Sequence, residues 1–284
     1  MAHLQSWQGK SETLHEQLAA QPLAALAATL DRAGAAPQPD EAVPPLWHWL
    51  YFLPLAPRSA IGPDGHPRRG GFLPPVPLPR RMWAGGRLRW QPHNPLYVGQ
   101  PVQRQSTIRS VQHKRGRSGE LLFVVVEHHY SNAAGLALTE EHDIVYRSAA
   151  QPGEPAAPPQ TPPLAGQAAW SRRIEPDAVL LFRYSALTFN GHRIHYDRQY
   201  ATQAEGYPGL VVHGPLIATL LLDLLHRQLP QARLAAFDFR AVRPTFDLHP
   251  FSVHGQPAAD GRSVQLWAED HQGWLTMQAT AHLA

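Results

Sequence analysis

Between residues 11 and 34 the leucines recur at helical spacing. Leu14 and Leu18 lie four apart, and Leu23, Leu26 and Leu30 continue the apolar face. Ser11 is the expected N-cap, Pro22 a break or a first-turn restart, and Gly34 the stop. An aromatic cluster follows from Trp47 to Phe52. From Gly86 the period shortens to two: Leu88 and Trp90 alternate with Arg87 and Arg89. Residues 103–111 are rich in strand formers, and 121–126 form an unbroken apolar run, the mark of a central strand covered on both faces. Residues 138–146 close this block of strands.

One segment of the second half is apolar around its whole circumference. Leu216, Ile217, Leu220, Leu221, Leu222, Leu224 and Leu225 predict a buried helix, started by Pro215 with Gly214 just before it. Strands are expected at 234–242, 251–254, 263–269 and 274–282. In the last, Leu275, Met277, Ala279 and Ala281 face one way and Thr276, Gln278, Thr280 and His282 the other. A central helix wrapped by an antiparallel sheet is an α+β, hot-dog-like layout. The first half has comparable strand content with a less evident helix, so we expect two related units: a double hot-dog, with two antiparallel sheets each wrapped around a central helix.

Between the units, residues 149–169 are rich in Ala, Pro, Gln and Gly, which predicts an extended linker. The expected units are 1–148, with a helical leader, and 170–284. A second long irregular stretch holds Gly62, Pro63, Asp64, Gly65, Gly70, Gly71, Pro74, Pro75, Pro77 and Pro79. A loop of this length is functional, wraps a neighbour, or is a surface loop with no role. Residues 114–119, Lys-Arg-Gly-Arg-Ser-Gly, predict a solvated hairpin turn.

Composition narrows the chemistry. The 284 residues include no cysteine, which excludes disulfides, thiolate metal sites and a cysteine nucleophile. The net charge of +3 is spread along the chain without a basic–aromatic module, against nucleic-acid binding. The first ten residues lack a leader pattern, and residues 210–225 are too short and polar to span a bilayer, so a cytoplasmic location is expected.

Two stretches carry candidate chemistry. The first is Tyr184-Ser185-Ala186-Leu187-Thr188-Phe189-Asn190-Gly191-His192-Arg193-Ile194-His195-Tyr196-Asp197. The second, residues 209–215, leads into the buried helix through His213 and Gly214. A helix start is either a plain cap or a site for developing negative charge, and glycine there lets a ligand approach the backbone. Of the 17 histidines, adjacent His128 and His129 point to opposite strand faces, and His192 with His195 would need a third ligand. No metal and no cofactor is expected.

Together these stretches resemble the MaoC-like (R)-specific enoyl-thioester hydratase and dehydratase family. Tyr184, Leu187, Thr188, Ile194, His195 and Ala201 fit its motif, and His213-Gly214 matches its His-Gly before the central helix. Phe239 to Pro244 is similar to its strand ending in Arg-Pro. Asn190 stands at the family's catalytic Asp position, five before His195, while His192 and Arg193 replace its Asn and Pro. The block Trp49–Pro54, residues 70–79 and Arg80-Arg81-Met82-Trp83-Ala84-Gly85-Gly86 resembles the two-hot-dog branch. That branch holds mitochondrial-type 3-hydroxyacyl-thioester dehydratases and the hydratases of mesaconyl-C4-CoA and itaconyl-CoA.

The resemblance implies reversible hydration of an enoyl thioester carried by CoA or an acyl carrier. His195 would be the general base, Asn190 would accept a hydrogen bond from the water, and the Gly214 N–H would polarise the thioester carbonyl. His192 and Asp197 would orient His195 or relay the proton, and His213 would lead into the helix. Tyr184 is expected in the pocket wall. Arg240 and Arg243 are candidates for the carrier's phosphates, and Arg80 and Arg81 for the free carboxylate of a short dicarboxylyl thioester. The alternatives are a dehydratase of fatty-acid synthesis, which needs an apolar tunnel, and a non-catalytic acyl-CoA-binding protein. A hot-dog thioesterase would need a carboxylate poised at the carbonyl. A two-unit chain satisfies internally what single hot-dogs achieve by pairing, with room for a further homodimer.

Overall fold

In the computed structural model, ten strands form one continuous antiparallel sheet; residues 2–34, 37–116, 119–148 and 158–284 are described. The first half supplies β1 (Ser11–Gln17), β2 (Arg80–Trp90), β3 (Pro101–Gly116), β4 (Gly119–Asn132) and β5 (Gly135–Arg147). The second half supplies β6 (Trp170–Ile174), β7 (Leu234–Ala241), β8 (Phe251–Pro257), β9 (Ser263–Glu269) and β10 (Leu275–Leu283). The strand order is β1-β3-β4-β5-β2-β7-β10-β9-β8-β6. Taken from its outer edge inward, each half has the same connectivity: first strand, third, fourth, fifth, second.

The two expected sheets therefore join into one, through β2 and β7. Gly85 and Gly86 allow that seam. A Cβ on Gly85 would stand 2.5 Å from the Phe239 carbonyl oxygen, and one on Gly86 2.8 Å from the Phe239 ring. Arg89 crosses the seam to Asp238, with Nη1 donating at 2.5 Å and Nη2 at 3.0 Å.

Helix α1 is Ala20–Thr29, α2 is Ala178–Leu187 and α3 is Gly214–Gln228. In α3 every residue from Leu216 to Leu225 is buried, against β6, β8, β9 and β10. Each buried leucine there contributes about 1.5–3 kcal/mol relative to exposure. The one acid among them, Asp223, meets Arg32, Arg172 and Arg227 at 3.1, 2.6 and 2.7 Å. Helix α1 is the shorter counterpart in the first half; Leu23, Leu26 and Leu30 share a core with Leu88, Val102, Tyr130 and Leu138. Farther along the first half of the sheet a different cover takes over. Val76 and Leu78 of the Pro-rich stretch pack on Ile108, Leu122, Val124 and Tyr146, in a second core that includes Leu4. Arg69 pins the stretch by donating to the carbonyls of Val76, Leu78 and Pro79.

Three local expectations change. Ser11 caps no helix: it opens β1, which pairs antiparallel with β3 from Ser11↔Thr107 to Gln17↔Pro101. Leu14 is exposed while Leu18 is buried, so the two do not share a face. Pairing with the free edge of β3 satisfies more backbone groups than a two-turn helix would, and tertiary context overrides the spacing. Helix α2, absent from the pattern reading, is capped by the Asp177 side chain accepting from Leu180 N at 2.7 Å. Strand β6 is likewise new. The tip of the basic hairpin at 114–119 (117–118) and linker residues 149–157 lie outside the described residues. Among the described residues no helix is long and apolar enough to cross a membrane.

Candidate active site

The site gathers at the N-terminus of α3. Residues 188–195, which follow α2, fold back as a turn onto the segment that feeds α3. The Val211 N–H donates to the Ile194 carbonyl at 3.0 Å, locking the two motif stretches together. Gly214 is the first residue of α3 and His213 its N-cap. No acceptor among the described residues takes the Gly214 N–H, so an orphan donor and the positive end of the helix dipole face the site.

His195 is buried and stacked on His213, with ring centroids 3.8 Å apart and planes 19° apart. This stack places it beside the helix start. Its Nδ1 lies 2.7 Å from the Val211 carbonyl oxygen. A carbonyl only accepts, so Nδ1 carries the hydrogen and the Nε2 lone pair is free. Burial pushes its pKa down to about 4, against the opposing pull of Val211. His195 is thus neutral at neutral pH, with no carboxylate to stabilise its protonated form.

Asn190 holds the turn with both ends. Its backbone N–H donates to Ser185 O at 2.8 Å, and its Oδ1 accepts the His192 N–H at 3.0 Å. His213 meets the Ser185 hydroxyl through Nε2 at 2.8 Å. Burial, then the neighbouring His195, keeps His213 well below the usual histidine range. Tyr184 is buried with its ring edge-on to His213 at 5.1 Å, a wall position.

Other expected residues are engaged elsewhere. Asp197 accepts from Arg193 Nε and Nη2 at 3.0 and 2.7 Å and from Tyr200 N at 3.0 Å, so it braces the turn and not His195. Arg80 donates to the Glu205 carbonyl at 2.9 Å and lies over the Tyr207 ring. Arg243 pairs with Asp270 at 3.4 Å. Arg240 is exposed on the face of β7 opposite buried Phe239, turned away from the helix side. The half-buried Arg81 differs: it has no ion-pair partner among the described residues. Its charge bears on His66, His192 and the buried Tyr146 hydroxyl.

The sequence reading missed two residues that the fold adds from the first half, Asp64 and His66. Their loop docks on the 190–193 turn: Arg193 N donates to Asp64 O at 2.9 Å, and Arg193 Nη1 to Pro63 O at 3.0 Å. Asp64 accepts from the His66 N–H at 3.0 Å and faces His66 Nδ1 at 3.2 Å. The His66 ring lies 4.0 Å from that of His192, which meets His195 edge-on at 5.4 Å. Burial raises the Asp64 carboxyl, yet the hydrogen bonds from His66 outweigh it and hold it below the usual carboxylate range. Burial, then His66, takes His192 down to about 2. The expectation of no metal rested on the lack of a third ligand near His192. Asp64, His66 and His192 do offer donor atoms within 4.8 Å of one another. Asp64 and His66 are joined there by a hydrogen bond, and the Arg81 charge bears on both histidines. The Gly62-Pro63-Asp64-Gly65-His66 run was visible as an irregular loop, but nothing local tied it to residue 192.

A neutral histidine with a fixed tautomer stands beside an open helix N-terminus on a double hot-dog sheet, an arrangement able to hold a water and to polarise a carbonyl. Comparison with known proteins gives the class, a hydro-lyase. The family model for hydroxyacyl-thioester dehydratase type 2 matches residues 46–247. The chain is 46% identical over 278 residues to mesaconyl-C(4)-CoA hydratase of Chloroflexus aurantiacus, covering 98% of this chain and 97% of that protein. Among solved structures it superposes on HtdX of Mycobacterium tuberculosis with a TM-score of 0.66 at 18% identity, covering 95% and 98% of the two chains. A Mycobacterium tuberculosis protein described as a double hot-dog gives 0.57 at 13% identity, covering 98% and 96%. The chain belongs to the hydroxyacyl-thioester dehydratase type 2 family.

Proposed function

We propose that this hydro-lyase adds water reversibly across the double bond of a short dicarboxylyl enoyl-CoA, such as mesaconyl-C4-CoA or itaconyl-CoA. The observation that carries the reading is the His195–His213 stack, which sets a neutral histidine beside the Gly214 N–H. In hydration, a water held at the His195 Nε2 lone pair attacks the substrate Cβ. The π electron pair moves onto the thioester oxygen, where the Gly214 N–H and the helix dipole stabilise it. The attacking water loses one proton to a basic histidine of the site, and Cα takes that proton back as the enolate collapses. Dehydration runs the same steps backwards.

The dicarboxylyl part of the reading is supported by the 46% identical relative and by Arg81. A half-buried guanidinium without a carboxylate, beside the site histidines, suits the free carboxylate of such an ester. An apolar fatty-acyl chain would leave that charge unmatched. The same reading takes 1–148 and 170–284 as two units, a CoA carrier in place of an acyl-carrier protein, a cytoplasmic location and a homodimer.

The test follows loss of enoyl-thioester absorbance with mesaconyl-C4-CoA, itaconyl-CoA and crotonyl-CoA. Turnover confined to the dicarboxylyl esters, falling about 10²–10⁴-fold in His195→Ala with CoA-ester binding kept, is the expected result. Preference for crotonyl-CoA overturns the substrate assignment. Tight binding without turnover overturns the hydratase reading.

A further inference from the structure

Asn190 leaves the site without a carboxylate where the resembling family has one, and an amide neither takes nor gives a proton in the working pH range. His195 by itself is a poor store for a proton. It is buried, and its Nδ1–H goes to an uncharged carbonyl. An ionised carboxylate is nevertheless present, delivered from the other half of the chain by the loop that holds Asp64 and His66. Asp64 grips His66 through the backbone N–H and the ring. A carboxylate accepting from Nδ1 fixes that tautomer and leaves the His66 Nε2 lone pair free. It also stabilises the imidazolium that forms when Nε2 takes a proton, as in acid–histidine pairs generally.

We infer that His66, oriented by Asp64, is the second acid–base group of the site and takes over the work of the carboxylate that Asn190 cannot do. The inference rests on the proposed hydratase function. In hydration the oxygen of the water held at His195 bonds to Cβ, and the π pair shifts to the thioester oxygen. One O–H bond of the water breaks, and its proton goes to His66 Nε2, giving an imidazolium against the Asp64 carboxylate. As the enolate collapses, Cα takes that proton back from His66. One water has been added and the dyad is restored. His195 then orients the water, His192 packs against both histidines, and Asp64 is a positioning residue acting through His66.

The experiment compares His66→Gln, Asp64→Asn and His195→Ala with the wild type on mesaconyl-C4-CoA, reading kcat, KM and the pH profile of kcat/KM. We expect kcat of His66→Gln to fall about 10²–10⁴-fold with KM little changed. Asp64→Asn should lose less and should move the acid limb to lower pH. The groups near His66 are Asp64, His192, His195, Arg81 and Arg69; burial and the two arginines hold it below the ordinary histidine value, and Asp64 alone pulls its proton affinity upward. Added imidazole should restore turnover to His66→Ala, which a packing defect would not permit. His66→Gln within twofold of wild type, with His195→Ala inactive, overturns the dyad and leaves the hydratase reading standing. A wild type inactive on all three esters overturns the hydratase reading and the dyad's role with it. Loss of wild-type turnover on chelation, regained with zinc alone, assigns the Asp64–His66–His192 group to a cation and overturns the proton transfer.

Discussion

A Cβ on Gly65 would stand 1.8 Å from the carbonyl oxygen of Gly191, and one on Gly191 2.8 Å from that of Gly65, so the two backbones meet with no room for a side chain. This contact fastens the Asp64–His66 loop of one half onto the motif turn of the other. Gly65 also sits at φ +90°, where a side chain is strained whatever the space.

Gly65→Ala should therefore undock the loop. The expected outcome is a fall in kcat/KM of at least about tenfold, of the size that misplaced catalytic groups produce. Gly261→Ala is the control. Gly261 has φ +67° and nothing within 4 Å, so it carries backbone strain alone, and its turnover should stay near wild type. Equal activity in the two variants would show that docking of the loop does not matter to catalysis.

Arg81→Met should cut kcat/KM for the dicarboxylyl esters about 10–150-fold, the worth of one or two charge-assisted hydrogen bonds. Crotonyl-CoA turnover should hold or rise, since its methyl end needs no cation. Steady-state kinetics on the two ester classes checks this. A parallel loss on both would assign Arg81 to CoA or to packing.

Asp223→Asn should destabilise the chain by about 3–5 kcal/mol, because it leaves three arginines around a buried site without their counter-charge. Arg32 and Arg227 tie this region to the end of α1: Arg227 Nη2 donates to the Leu30 carbonyl at 3.0 Å. A urea melt reads the loss. Turnover of the folded fraction should not change, since Asp223 lies in the body of α3 and not at its N-terminus.

Acid should destabilise the fold from about pH 6.5 downward. His128, His192, His195 and His213 are each pushed below the ordinary histidine value of 6.5, first by burial. The unfolded chain then binds protons that the folded chain refuses. The stability these groups supply is complete above 6.5. For His195 it is lost on the way down to about 4, and for His192 down to about 2. Each such histidine adds about 1.4 kcal/mol per pH unit to the slope. Glu140 adds to the loss at lower pH. Burial raises it, but His142 and His48 outweigh that and hold it well below 4.5. Thermal melts from pH 8 to 4 should show Tm falling throughout the lower range. A flat Tm between 6.5 and 5 would show that these histidines are already protonated in the folded chain.

What the sequence alone determined was what short-range chemistry decides. The greasy run 216–225 can only be a buried helix, period-two alternation at 275–282 can only face one side inward, and Gly214-Pro215 starts a helix whichever sheet it meets. The resemblance carried by Asn190, His195 and His213-Gly214 pointed to one side of the candidate site. Tertiary structure decided whatever depends on partners distant in sequence. Ser11–Gln17 became a strand because the edge of β3 was open to pair with it. Arg80 and Arg81 are neighbours with the same charge, yet one is tied to Glu205 while the charge of the other bears on His66 and His192, as successive strand residues point to opposite faces. Asp64 and His66 lie more than a hundred residues before His192. No local periodicity encodes that distance, and only the docking of Gly65 on Gly191 brings the carboxylate to the site where Asn190 lacks one.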